Sequence, residues 1–324
     1  VEGANILSRS LIIFGQGAIR CHPYVLDEIE SVRDHDLQKF DRAIWGHVGF
    51  VFANFIKSIV FLFTDARMTK TPNGVTRRYY QVIHRYSSNL AFLADFSMIM
   101  LGGELKRKEK LSARLGDLLS SLYLASAVLK RFHQDGEPSA DLPLVEWSCQ
   151  QLFHECALAI QGVIANFPYQ WARILLKLTL QPLGVQRHKP SDKLGQQLAR
   201  LLTEPSQTRT RLTRLAFREA SENCPLGKVE DAFLKICAVE LLEKKISRAV
   251  KADKLQTLTL LEQIDEAVLC AVLTKEEAQC LRDAELARQH VIAVDDFSNH
   301  DLSRQADPSK QKVSSQDNVS IEMM

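Results

Sequence analysis

The feature that most constrains the fold is the length of the segments that run without a helix breaker. The 324 residues contain only 14 Gly and 10 Pro, which leave long stretches rich in Leu and Ala uninterrupted. Gly and Pro weaken a helix interior more than any other residue, and no stretch alternates apolar and polar residues as a half-buried strand does. The sequence therefore predicts an all-α protein.

Composition excludes several classes of protein. Apolar residues make up 46% and charged residues 25% of the chain, which excludes collagen-like, low-complexity and disulfide-scaffold proteins. The formal net charge of +2 argues against a dedicated nucleic-acid-binding protein. The seven Cys include no CxxC pair, and no His lies at helical spacing from Cys149 and Cys156 to complete a zinc site. We therefore expect free buried thiols, no metal site and a reducing, cytoplasmic compartment.

Apolar periodicity and turn residues divide the first part of the chain into long amphipathic helices. Residues 71–74, 135–138 and 167–168 are turns by composition, and Gly102 is a fitting end for the helix before it. Helices are predicted over residues 5–20, 23–34, 37–63, 75–101, 104–132, 142–166 and 169–180. Because the links are short, residues 23–182 are predicted to form an antiparallel helix bundle.

The second part of the chain begins with a break in this pattern. Gly, Pro, Ser and Thr interrupt residues 183–227, which are predicted to be a boundary region with one or two short helices. Its arginines at 209–218 could bind phosphates or the acids of a neighbouring subunit. Residues 228–298 are predicted to form a further helical region, in which Thr274 and Glu277 make a capping box. Polar residues dominate 299–324, so a disordered tail is predicted there.

The most apolar stretch raises the question of a membrane. Residues 43–63 are long enough to cross a bilayer, but they contain Lys57, which is costly inside one. His47, Asn54 and Ser58 are spaced by seven and four residues and form one stripe along a helix. This pattern favours a helix that is buried on most sides or lies on a membrane surface, rather than one that spans it.

Two histidines and one basic segment are best explained by structural roles. His84 and His133 lie within apolar helices and are predicted to be satisfied histidines of the core or an interface. The basic residues at 106–110 are predicted to be the solvated first turn of a helix. The alternative is that they meet an acidic membrane or coenzyme phosphates.

The opening residues resemble a known motif. Residues 2–9, Glu-Gly-Ala-Asn-Ile-Leu-Ser-Arg, resemble the Glu-Gly-Thr-Asn-x-Ile-x-Arg segment of flavin-dependent acyl-CoA dehydrogenases. Residues 10–24 resemble the bacterial long-chain (FadE-type) enzymes in particular. Similar blocks follow in order at 111–117, 123–131, 141–145 and 294–297. Together they make the chain similar to the C-terminal portion of such an enzyme.

The resemblance implies a role for four residues. In the family, a Glu at the position of Glu2 removes the α-proton of an acyl-CoA thioester while a hydride passes from the β-carbon to FAD, giving a trans-2-enoyl-CoA. A polarised thioester carbonyl and a desolvated pocket make a carboxylate basic enough for this step. Gly3 is the family glycine that lets the backbone approach the substrate. Ala4 stands where the family has Thr, so only its backbone could contact the flavin, and Asn5 matches a residue near the cofactor.

The resemblance also implies partners and a context. We expect a medium- or long-chain acyl-CoA substrate in fatty-acid β-oxidation, an electron-transfer flavoprotein-type acceptor and a homo-oligomer. The chain begins with Val1 rather than Met, so we expect part of a longer enzyme, inactive alone, whose catalytic domain ends at 1–22. Residues 43–63 and 106–110 would then meet the inner membrane peripherally or form a dimer surface. The alternative is a non-enzymatic helical module for membrane docking or oligomerisation, in which Glu2 is incidental.

Overall fold

A computed structural model describes residues 2–8, 16–219, 224–256 and 259–294, and within them the chain is all-α, as predicted. The tail predicted at 299–324 lies outside the described residues. The α-helices are α1 Glu2–Leu7, α2 Gly17–Cys21, α3 Val25–Arg33, α4 Leu37–Thr64, α5 Arg77–Leu101, α6 Glu109–Gln134, α7 Leu142–Asn166, α8 Gln170–Leu180, α9 Asp192–Thr203, α10 Gln207–Leu212, α11 Pro225–Lys251, α12 Leu260–Leu269 and α13 Lys275–Ile292.

The chain divides into two compact units, residues 1–203 and 204–324. In the first unit, α6 and α7 pack together most extensively, and α5 and α8 close the same core. Leucines at helical spacing on α6 face inward, namely Leu111, Leu115, Leu118, Leu122 and Leu129, whereas Leu119 is partly exposed. The core is filled by fully buried side chains, which include Leu93, Leu115, Leu118, Leu129, Ile160, Phe167 and Leu176.

The long helices of this unit lie close to their predicted positions. Predicted helices 142–166 and 169–180 correspond to α7 and α8. Helix α5 ends at Gly102, whose φ of 50° is a left-handed value that glycine adopts without strain. The basic residues at 106–110 were predicted to form the first turn of a helix, and this position is wrong. A 3₁₀ helix over Gly102–Lys106 comes first, and α6 begins only at Glu109.

His84 and His133, predicted to be satisfied histidines of the core or an interface, are both exposed and so do not lie in the core. The inward face of α5 carries Arg85, Asn89 and Leu93, and His84 lies one residue off that face. His133 lies in the last turn of α6, where its Nδ1 is 2.9 Å from Oε1 of Glu137. The prediction of free buried thiols is confirmed in part. All seven thiols are free, but the buried ones are only Cys149, Cys156 and Cys224.

Helix α4 is one continuous helix, as predicted, but it is not buried on most sides. Its buried residues are Ala43, Asn54 and Ser58, while Trp45, Phe52 and Phe63 are 73%, 64% and 83% exposed. Among the described helices, α4 is the one long and apolar enough to cross a membrane by length and composition. Its polar stripe faces the protein and its apolar face points outward.

Asp65 joins three segments of the first unit. It follows α4 with a left-handed φ of 48° and accepts hydrogen bonds from Arg78, Arg85 and Arg187. The distances from Arg85 and Arg187 nitrogens to Oδ1 are both 2.7 Å. Burial raises the pKa of Asp65, but the three guanidinium groups outweigh burial and hold that pKa below its usual value. The carboxylate therefore fixes the turn between α4 and α5 to the segment after α8.

The second unit is built from α11, α12 and α13 around Val239, Ile246, Ile264 and Leu281. The predicted capping box at Thr274 is present, and Thr259 forms a second one that the sequence analysis missed.

Two arginines of the arginine-rich segment 209–218 bind Glu230, a residue of α11 in the same unit. Arg209 donates two hydrogen bonds to Glu230, at 2.6 and 2.5 Å, and Arg218 donates a third at 2.9 Å. The Arg209 guanidinium also lies 4.1 Å from the centre of the Phe233 ring. Arg209 and Arg218 therefore bind Glu230, and not the phosphates or the acids of a neighbouring subunit that were the two predicted partners.

Replacing Leu115 by Ala is expected to lower the free energy of unfolding by about 2–5 kcal/mol, because it opens a cavity in a core with no exposed surface at that site. Leu119→Ala is the matched control on the same helix, since Leu119 is 37% exposed, and it should cost clearly less. Urea unfolding followed by circular dichroism measures both. Equal losses would contradict the core described above.

Asp65→Asn is expected to cost about 1–3 kcal/mol, because three guanidinium groups lose their shared carboxylate at a partly exposed site. The folded-state pKa of Asp65 is lowered, so its stabilisation is present above the unfolded pKa and is lost as the pH falls through the folded pKa, below about pH 4. The stability difference from wild type should therefore shrink on acidification. Asp41→Asn, at an exposed position of α4, serves as control, and an unchanging difference would refute the ion-pair explanation.

Candidate functional site

The structure places the predicted site residues 2–5 in α1. Gly3, Ala4 and Asn5 are exposed, and a Cβ added to Gly3 would meet no atom within 4 Å. The side chain of Glu2 lies outside the described residues. Gly3, Ala4 and Asn5 are therefore accessible in the described part of the chain.

A buried polar cluster, which the sequence analysis missed as a site, lies where four elements meet. His22 directly follows α2, Glu28 lies in α3, His47 in α4 and Asp95 in α5. The side chain of Asp95 is 1% exposed, and those of His22 and His47 are largely buried. We call these four residues the His–Asp cluster.

Backbone geometry fixes the protonation of His22. Its Nδ1 accepts hydrogen bonds from the backbone N–H groups of Tyr24 and Val25, both at 3.2 Å, at the start of α3. An accepting Nδ1 carries no proton, so the neutral ring carries its proton on Nε2. This Nε2 lies 3.1 Å from Oδ1 of Asp95.

His47 connects the two carboxylates of the cluster. Its Nδ1 is 2.8 Å from Oε1 of Glu28, and this acceptor places a proton on Nδ1. Its Nε2 then faces Oδ1 of Asp95 at 3.8 Å, which is beyond hydrogen-bond distance. The rings of His22 and His47 are 4.6 Å apart, so the two imidazoles and the Asp95 carboxylate converge.

Burial perturbs the ionisation of this cluster. Burial, followed by the nearby His47, lowers the pKa of His22 to about 4. Burial raises the pKa of Asp95 to about 6, although His47 opposes that shift. At neutral pH, the cluster therefore holds a neutral His22 beside an ionised Asp95.

Two apolar cavities border the His–Asp cluster. One, of about 330 Å³, contains His22 and Asp95 in its lining, and the other, of about 510 Å³, contains Glu28 and His47. The remaining lining is apolar apart from Cys21 and includes residues of α4, α5 and α6, among them Phe50, Phe52, Phe55, Leu90, Met98 and Leu119.

A third cavity, of about 450 Å³, is basic. Arg107, Lys108, Lys110 and Arg114 line it at the start of α6. Glu109 is the one acid among its described lining residues, so the lining has a net positive charge. The cationic segment predicted from sequence is therefore solvated and available to an anion.

The fold and these sites can now be compared with known families. The family profile described as "Acyl-CoA dehydrogenase, C-terminal, bacterial type" matches residues 19–297. The chain belongs to this family. No solved structure was found to match it.

The bacterial-type acyl-CoA dehydrogenase C-terminal match confirms the resemblance drawn from the sequence and covers most of the chain. It includes the His–Asp cluster and the basic cavity, and it begins after residues 2–5. The roles predicted for Glu2, Gly3, Ala4 and Asn5 therefore remain predictions.

Proposed function

We propose that the chain is the C-terminal part of an FAD-dependent acyl-CoA dehydrogenase that oxidises medium- or long-chain acyl-CoA to trans-2-enoyl-CoA in fatty-acid β-oxidation. The family match over residues 19–297 carries this proposal. The Glu-Gly motif at 2–9 lies immediately before that match, in the order that the family resemblance implies.

In this proposal, Glu2 is the base that accepts the α-proton of the thioester. Bound FAD supplies the redox chemistry by accepting the β-hydride. The exposed backbone at Gly3 and Ala4 and the exposed amide of Asn5 are compatible with a flavin and an acyl thioester approaching α1 without obstruction. A matched pocket would desolvate Glu2 and increase its basicity.

The proposal includes two kinds of protein partner. An electron-transfer flavoprotein-type acceptor reoxidises the flavin, and a second copy of the enzyme forms a homo-oligomer. The exposed apolar surface of α4 supports the existence of a covering partner, because contiguous apolar faces of this kind mark interaction sites.

Glu2→Gln in a protein that carries this chain behind flavin-binding domains is expected to lower kcat at least a thousandfold. The amide is nearly isosteric but cannot accept the α-proton. Dye-coupled oxidation of an acyl-CoA measures the rate, and the flavin absorption spectrum shows that FAD stays bound.

Glu276→Gln, which changes an exposed glutamate of α13 instead, is the matched control and should retain dehydrogenation. The 324-residue chain alone is expected to bind no stoichiometric flavin and to be inactive. Full activity of the Glu2 variant would refute the assignment of the base.

A peripheral membrane surface is the second function that the structure favours. Between Asp41 and Asp65 the chain has no acid, and Trp45, Phe52 and Phe63 are exposed along α4. Residues 42–64 carry Arg42 and Lys57 as their only charged side chains, and apolar side chains beside basic ones suit the interface of an anionic bilayer. The basic cavity at the start of α6 adds cations to the same unit.

The purified chain is expected to float with anionic liposomes at low salt and to be released at high salt. Phe52→Glu with Ile56→Glu should abolish flotation, because both side chains are exposed on the apolar face of α4. Leu215→Glu with Leu269→Glu, at exposed positions of the second unit, should leave it unchanged. Wild-type protein that stays with the soluble fraction and sediments as a dimer would assign the α4 face to a second copy instead.

A further inference from the structure

The His–Asp cluster contains polar atoms that converge without bonding. Nε2 of His22, Nε2 of His47 and both carboxylate oxygens of Asp95 are buried and form no aligned hydrogen bond within the described residues. One ligand atom from each of the three side chains lies within 4.8 Å of the others. Buried polar atoms are nearly always satisfied, so this convergence points to a shared partner at its centre.

The spacing of these atoms discriminates between a metal ion and a water molecule. Oδ1 of Asp95 lies 3.1 Å from Nε2 of His22 and 3.8 Å from Nε2 of His47. Around a metal with bonds of about 2.1 Å, these separations subtend angles of about 95° and 130°, on either side of the tetrahedral value. Around a water with hydrogen bonds of about 2.8 Å, they subtend only about 65° and 85°, both well below the tetrahedral value.

We propose that His22, His47 and Asp95 bind one divalent transition-metal ion of the zinc class. Two imidazoles and one carboxylate form a donor set that zinc prefers and that the oxygen-seeking ions Mg²⁺ and Ca²⁺ do not. The three ligands come from the residue after α2, from α4 and from α5. The metal ties these elements together.

The surroundings of His47 suit this role. Its Nδ1 lies 2.8 Å from the Glu28 carboxylate, and metal-binding histidines commonly donate their second ring N–H to a carboxylate. This contact fixes the tautomer in which Nε2 presents a lone pair to the centre of the cluster.

Binding requires a tautomer change at His22. Its Nδ1 accepts two long backbone hydrogen bonds at 3.2 Å, which keep the proton on Nε2. Metal binding moves this proton to Nδ1 and gives up those two bonds, and the new metal–nitrogen bond offsets them. The ring therefore reports binding by exchanging its protonated nitrogen.

The experiment uses the purified 324-residue chain, stripped with a chelator and titrated with Co²⁺. One equivalent should produce the visible d–d absorption of a four- or five-coordinate ion and raise Tm, and Zn²⁺ should displace the Co²⁺. Nitrogen NMR of the histidine rings should show the proton of His22 moving to Nδ1.

Variants separate this site from surface binding. His47→Gln and Asp95→Asn should abolish the absorption, and Glu28→Gln should weaken Co²⁺ binding about 10–100-fold through the lost contact to His47. His84→Gln, which changes an exposed histidine of α5, should leave binding unchanged.

Two results would overturn the proposal. One is a wild-type chain that takes up no Co²⁺ with visible absorption, and the other is a spectrum that survives in both His47→Gln and Asp95→Asn. If those variants fail to fold, X-ray absorption of the wild-type Co²⁺ protein decides. Two imidazole nitrogens and a carboxylate oxygen support the site, and a shell of oxygens alone refutes it.

Discussion

The orientation of α4 about its own axis is the constraint on which the rest of the first unit depends. Asn54 and Ser58 are buried against the protein, and His47 reaches Glu28 and Asp95 on the same side. Residues two positions apart on a helix point in directions that differ by about 160°. Trp45, Phe52 and Ile56 must therefore face outward, as their exposure shows.

Such an arrangement reverses the usual amphipathic helix, because its apolar face is exposed. An isolated soluble chain would lower its free energy by turning Phe52 and Phe63 inward, since a buried aromatic side chain contributes about 1.5–3 kcal/mol. Turning them inward would instead expose His47 and break its contact with Glu28. The polar cluster thus holds the apolar face of α4 outward, where a bilayer or another protein surface can cover it.

Most helix positions could be predicted from the sequence because local signals dominate them. Pro143 and Asn166 lie at the two ends of α7, and Thr274 with Glu277 begins α13. The inward or outward position of a polar residue depends on tertiary packing, which explains why His84 does not lie in the core, one of the two positions predicted for it. The polar stripe of α4 was visible in the sequence, but the direction in which it faces was not.

The His–Asp cluster could not be found from the sequence for a related reason. Its members lie at positions 22, 28, 47 and 95 on separate elements, and no spacing between them matches a helical or metal-binding pattern. Only the folding of α3 and α5 against α4 brings them together. The residue pattern at 2–9 is local, so it was recognisable without a structure, although its partners in a complete active site are not local.

The family match and the geometry bear on different parts of the chemistry. The proposed proton transfer involves Glu2, which lies in the Glu-Gly segment before the family match. Residues 19–297 are the part that matches the family, and their described residues are mainly helical. In that part, Asp65 fixes the end of α4 and the His–Asp cluster fixes its first half. Two anchors about 18 residues apart prevent α4 from rotating, since a turn at either end would break charged contacts. A partner of the kind proposed above would therefore meet a surface that is anchored at both places, which lowers the entropic cost of its binding.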